Sequence, residues 1–331
     1  MKVRRIARIG YCGLLGIVGL CTGLFTVFAA QAQTNIASSD GKFNIPAYWF
    51  KAVANEPRPV VIGLHGCGGG LNATGQPAPI WQRYAGYFNA ERMHFVMLDS
   101  FSPRGLGSIC ATPISQRTIQ EEDRREDVFA TIAWLAQQPS VDASRIIVVG
   151  WSHGAQTVLS VMDASAEYVT TQKIQPKAAA AFYPGCSKFV KLPGYRIQSP
   201  LLVMIGARDD WTLARHCVDL RDKLQRRQAG PTLHGTSTTT AVSATNSASA
   251  SLFDLEVYPD SYHGFDGLGA VQTRQNVGNT RSGSATVGGN PAAQRASHAR
   301  LFEFVAAQVG EPLRLSHEDR LKAKPALLPQ Q

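Results

Sequence analysis

The sequence predicts an α/β fold built on a mostly parallel central sheet with helices on both faces. Three observations lead there. Short apolar runs rich in β-branched residues recur along the chain, most of them lack strict alternation, and helical patterns separate them. A strand covered on both faces is apolar on both, and alternation of strand with helix suits parallel pairing.

The runs are Pro59–Gly66, His94–Ser100, Arg145–Ser152, Lys177–Gly185, Pro200–Ala207 and Leu252–Pro259. Lys177–Gly185, "KAAAAFYPG", is helical by propensity and is read as a strand only from its place in the series. Between the second and third runs, Thr118-Ile119-Gln120-Glu121 has the form of a capping box. The helix it opens should reach about Gln137, with Val128, Ile132 and Leu135 on one face and Pro139 as its stop. A further helix is expected after Ser152, through Ala155–Met162.

Residues 1–32 read as an export signal: Lys2, Arg4, Arg5 and Arg8, an apolar run from Ile9 to Ala30, and a small-x-small site at Ala30-Gln31-Ala32. The alternative is an N-terminal membrane anchor, because the run approaches a bilayer's thickness. With the signal removed, no membrane association is expected. Residues 33–310 then form one catalytic domain with two low-complexity surface insertions, at about 230–251 and 267–291, both expected to be flexible. Residues 311–331 are a charged, Pro-containing tail expected outside the core.

The formal charge of +9 falls to about +5 without residues 1–32, and the remaining basic residues form no stripe. Nucleic acid is therefore not an expected partner. Four cysteines follow the signal: Cys67, Cys110, Cys186 and Cys217. An even number in an exported chain favours disulfides. The expected pairs are Cys67–Cys110 and Cys186–Cys217, each on loops that the fold brings to one end of the sheet. Neither CxxC nor a His/Cys cluster of ligand spacing is present, so no metal is expected. No organic cofactor is implied either.

The chemistry centres on "GWSHG", Gly150–Gly154, between the strand-like "RIIVV" and the helix-like "AQTVLSVM". Gly-x-Ser-x-Gly suits a sharp strand-to-helix turn that exposes the serine hydroxyl at the carboxyl edge of a sheet. An acid and a histidine should follow in that order. Asp209, with Asp210 as the alternative, lies at the end of one later strand, and His263 lies just past the next. The glycine-rich "LHGCGGG", Leu64–Gly70, allows close backbone approach to a bound carbonyl. With the residue after the serine, it suggests the main-chain amides of Cys67 and His153 as oxyanion donors. A nucleotide-binding role for these glycines is weak, since neither GK[ST] nor GxGxxG occurs.

The ordered set "LHGCGG", "DSFSPRG", "GWSHGAQTVL", "GARDDWT" and "SYHGFD" resembles the dienelactone hydrolase family of the α/β-hydrolases, over about Pro59 to Asp266. The resemblance implies the α/β-hydrolase fold, with Ser152 as nucleophile, Asp209 as acid and His263 as base. It favours Asp209 over Asp210. The departure is serine where the lactone-cleaving members carry cysteine, which points away from dienelactone and toward small or polymeric esters. Arg104, Trp211 and Tyr183 follow strands and are candidates to line the substrate pocket. An amidase or peptidase with the same triad is one rival. A silent hydrolase-fold binding protein is the other.

Overall fold

The computed structural model describes residues 31–228 and 252–323. The expected signal therefore lies outside the described residues apart from its last two positions, and the expected insertion at 230–251 lies wholly outside them. The strands are β1 (Gln31–Ala37), β2 (Asn44–Phe50), β3 (Arg58–Leu64), β4 (His94–Leu98), β5 (Val141–Trp151), β6 (Ala178–Phe182), β7 (Leu201–Gly206), β8 (Phe253–Tyr258), β9 (Gln272–Gln275) and β10 (Ser284–Val287). The helices are α1 (Pro79–Ala90), α2 (Glu121–Leu135), α3 (His153–Val161), α4 (Glu167–Thr170), α5 (Ser187–Lys191), α6 (Ala214–Gln228), α7 (Pro291–Val309) and α8 (His317–Lys322).

Eight strands form one sheet in the order β1-β2-β4-β3-β5-β6-β7-β8. β1, β2 and β4 pair antiparallel, and every pairing from β4 to β8 is parallel. Every residue of β3, β4, β6 and β7 is buried, which requires helices on both faces. α1 and α7 meet through Phe88 and Phe302, with ring centroids 4.8 Å apart, while α2 packs on α3. The chain leaves β3 toward β4 on one side and leaves β5 toward β6 on the other. The sequence after β5 thus begins beside the loop after β3, at the crevice where parallel sheets place their ligands.

Three expectations need correction. The helix start lies at Glu121, where the Asp123 carboxylate accepts the Gln120 N–H at 2.7 Å, so the box is offset by two residues from Thr118. Residues 267–291, expected to be flexible, hold the β9–β10 hairpin. The hairpin is tied down by backbone bonds: Gly278 N–H to Cys110 O at 2.9 Å and Gly288 N–H to His263 O at 3.0 Å. The tail is also not free as far as residue 323. Arg320 is 2% exposed and bonds to buried Glu91 at 2.8 Å, and Glu311 pairs with Arg58 and Arg145. Glu91, at the end of α1, supplies the carboxylate that offsets the burial of this guanidinium.

Both expected cysteine pairs are bonded, Cys67–Cys110 and Cys186–Cys217. Among the described residues no helix is long and apolar enough to cross a membrane, and no cluster could hold a metal ion.

Candidate active site

Ser152 stands between β5 and α3 with φ 55° and ψ −114°, a conformation that side chains rarely adopt. Its neighbours explain how the turn is possible. A Cβ on Gly150 would lie 2.3 Å from Gly154 O, and one on Gly154 would lie 2.1 Å from Leu64 O. Only glycine fits at both positions, so the motif is a packing requirement of the turn.

The hydroxyl of Ser152 lies 2.9 Å from His263 Nε2, and His263 Nδ1 lies 2.9 Å from Asp209 Oδ2. With the ring proton on Nδ1, the imidazole donates to Asp209 and accepts from Ser152. Asp209 is 3% exposed and is fixed from several directions. Its Oδ1 accepts the N–H groups of Trp211 at 2.9 Å and Thr212 at 2.7 Å, and its Oδ2 lies 2.9 Å from Thr212 Oγ1. Asp210 turns the other way and accepts both the N–H and the hydroxyl of Thr286 on β10, each at 2.8 Å. The two adjacent aspartates thus hold different objects, one the imidazole and the other the hairpin.

Across the pocket, Gly66 lies against Ser152: a Cβ placed there would be 3.3 Å from Ser152 Cβ. The loop carrying Gly66 and Cys67 is fastened by the Cys67–Cys110 disulfide and by Ile109 N–H donating to Cys67 O at 2.8 Å. His153 opens α3, where the first amides of a helix lack partners within it. Among the described residues neither the Cys67 nor the His153 main-chain N–H meets a backbone acceptor outside the regular elements.

The pocket above Ser152 has a volume of about 300 Å³, and its walls include the aromatic rings of Trp81, Trp151, Tyr183 and Trp211. Trp211 and Tyr183, expected at the pocket, line it, with centroids 4.7 and 4.6 Å from the His263 ring. Arg104 does not. Its guanidinium bonds to both oxygens of buried Asp127, at 2.8 and 3.0 Å, and lies over the Phe43 ring. That bidentate pair is what a planar fork favours, and it removes Arg104 from the substrate.

The other buried histidines are held neutral. Burial pushes His65 and His153 well below the ordinary imidazole range, with the Arg124 charge adding to the effect. Burial also brings His298 down to about 4.

Two features of the site were not foreseen. The hairpin supplies Val287 and Arg274 to the pocket wall, Arg274 lying 5.5 Å from the Trp211 ring centroid. Beneath the pocket, Asp266 is 1% exposed and accepts from Tyr84 at 2.7 Å, Tyr183 at 2.7 Å and Trp151 Nε1 at 2.9 Å. The "SYHGFD" stretch placed Asp266 three residues after the histidine, but its aromatic donors are far away in sequence.

A family model described as "Dienelactone hydrolase family" matches residues 110–237, a span that contains Ser152 and Asp209 and stops short of His263. A comparison with curated protein sequences finds no match. Among solved structures, a dienelactone hydrolase-like promiscuous phosphotriesterase from metagenomic libraries superposes with a TM-score of 0.59 at 17% identity. It covers 84% of this chain and 99% of that one. A protein described as a dienelactone hydrolase from Klebsiella pneumoniae gives 0.55 at 16% identity, covering 83% and 98%. Esterase 2 of Thermogutta terrifontis, phosphorylated by paraoxon, gives 0.52 at 14%, covering 87% and 97%. At these identities the superpositions speak for the shared fold.

Proposed function

We propose that this chain, which matches a dienelactone hydrolase family model over residues 110–237 and shares the α/β-hydrolase fold, is an exported serine hydrolase of that family that cleaves carboxylic ester bonds. The observation that carries the reading is the unbroken hydrogen-bonded series from Ser152 through His263 to Asp209, at a turn that only glycine neighbours permit. The two disulfides are consistent with export.

Ser152 Oγ attacks the ester carbonyl carbon as its proton passes to His263 Nε2. Asp209 keeps the imidazole in the required tautomer and stabilises its cationic form. The amides of Cys67 and His153 receive the oxyanion, each donor contributing about 3–4 kcal/mol to the transition state. The carbon–oxygen bond to the alcohol breaks as His263 returns its proton to the leaving oxygen. Water, deprotonated by the same imidazole, then releases the acid and restores the hydroxyl.

The aromatic pocket of about 300 Å³ suits a small ester, or the short segment of a polymer that reaches Ser152. The test is hydrolysis of p-nitrophenyl acetate and butyrate by the wild type and by Ser152→Ala, with matched anilides alongside. Ester turnover in the wild type alone, with anilides slow, is the expected result. Equal ester turnover in both proteins removes Ser152 from the mechanism, and faster anilide cleavage makes the protein an amidase.

A further inference from the structure

Behind the two amides that the proposed mechanism assigns to the oxyanion lies a buried cation that no carboxylate hydrogen-bonds. Arg124, on the first turn of α2, is 0% exposed. One terminal nitrogen is 2.8 Å from His153 Nδ1 and the other donates to His65 O at 2.8 Å. Its planar group lies over the Phe101 ring at 5.2 Å, and its Nε is without a partner among the described residues. No carboxylate hydrogen-bonds to it: buried Asp127 is taken by Arg104, and Asp99 accepts the N–H groups of Phe101 and Ser102 through Oδ1, so the charges of Asp127, Asp99 and Glu121 act on Arg124 only at a distance. Burial draws its pKa down to about 10, which still leaves it charged at neutral pH.

A buried charge without a direct counter-ion is costly unless hydrogen bonds hold it. Here those bonds run to His65 and His153. His65 immediately precedes Gly66 and Cys67 in the loop after β3, and His153 immediately follows Ser152. One guanidinium therefore spans the two chain segments that must keep a fixed separation if their amides are to meet at one oxygen.

We infer that Arg124 is a positioning residue of the oxyanion hole, clamping the Leu64–Gly70 loop to the start of α3 and setting a positive charge against the backbone that receives the negative one. The inference rests on the serine-hydrolase reading. His153 takes part through its side chain as the acceptor that α3 offers to the clamp. The guanidinium can only donate, so the neutral His153 ring carries its proton on Nε2 and accepts at Nδ1. Lysine would keep the charge and lose the fork, since an ammonium on a flexible stem cannot hold two acceptors in one plane as guanidinium does.

The experiment compares wild type, Arg124→Lys and His153→Leu in p-nitrophenyl butyrate hydrolysis and in inhibition by phenylboronic acid. Phenylboronic acid adds to the serine and carries a tetrahedral negative charge, as the reaction intermediate does. Loosening the clamp should lower kcat about ten- to a hundredfold in Arg124→Lys, the scale expected for small misplacements of catalytic groups. KM should stay within about threefold, and boronate affinity should fall in parallel with kcat/KM, as it must if only transition-state binding is lost. His153→Leu should show the same parallel loss at smaller amplitude, and it decides the matter if Arg124→Lys does not fold. Unchanged kcat in the folded variants overturns the inference. A fall in kcat with boronate affinity intact overturns it too, because the loss would then lie outside the oxyanion hole. Failure of the underlying reading looks different: Ser152→Ala would retain the wild-type rate.

Discussion

On the imidazole side of the pocket the buried hydrogen bonds of His263, Tyr183 and Trp151 end on carboxylates, whereas on the other side a buried guanidinium joins His65 O to His153. Asp209 holds His263, Asp266 gathers Tyr84, Tyr183 and Trp151, and Asp210 holds the hairpin. The guanidinium opposite them is that of Arg124. An imidazole that becomes cationic is stabilised by negative neighbours, and a carbonyl oxygen that becomes anionic by positive ones. If the proposed mechanism holds, the two walls meet charges of opposite sign, and that contrast can be broken wall by wall.

The largest effect is expected at the pair of adjacent aspartates. Asp209→Asn should lower kcat about a thousandfold or more, through loss of the charge and of the correct imidazole tautomer. Asp210→Asn, which touches only β10 through Thr286, should change kcat by no more than about threefold. Steady-state ester hydrolysis separates the two, and the opposite ranking would transfer the acid role to Asp210. A smaller loss is expected from Asp266→Asn. The amide presents N–H groups to donors that need an acceptor, and leaving one buried donor unsatisfied costs about 1–3 kcal/mol. Thermal melting should register that cost, while kcat should drop about tenfold as Tyr183 shifts against His263. A lower Tm with unchanged kcat would reduce Asp266 to a packing role.

The smallest expected effect on turnover distinguishes the disulfides. Their sequence separations are 43 and 31 residues, so chain entropy predicts a similar stability loss of about 3–4 kcal/mol when either is removed. Only Cys67–Cys110 fastens a loop at the pocket. The Cys67→Ala/Cys110→Ala double variant should therefore lower kcat by about threefold to tenfold. The Cys186→Ala/Cys217→Ala variant should leave kcat unchanged. Equal kinetic effects would show that the loop after β3 is held without its disulfide.

What the sequence revealed follows from what is local. The strands β3, β4, β6 and β7 and the second half of β5 are legible because a strand buried on both faces leaves a continuous apolar run, while the edge strand β8 is legible from its alternating apolar residues. The strained turn was legible because its two glycines are forced by contacts within a few residues and with Leu64. β9 was not, since all four of its residues are exposed and its hold on the protein is through backbone bonds of the hairpin. Arg104 follows a strand and so reads as a pocket residue, but its partner Asp127 lies in α2 and only the folded chain brings the two together. Arg124 passed unnoticed within the run Asp123-Arg124-Arg125. Yet it lies four residues before Val128, in step with Ile132 and Leu135, so helical spacing already put a charge on the buried face.

The central claim, that Ser152 is the attacking group, is tested most directly by reacting the protein with a fluorophosphonate and mapping the modified peptide by mass spectrometry. The account predicts one adduct, on the peptide containing Ser152, absent in Ser152→Ala and strongly slowed in His263→Ala. An adduct on another residue, or equal labelling of the Ser152→Ala protein, would contradict it.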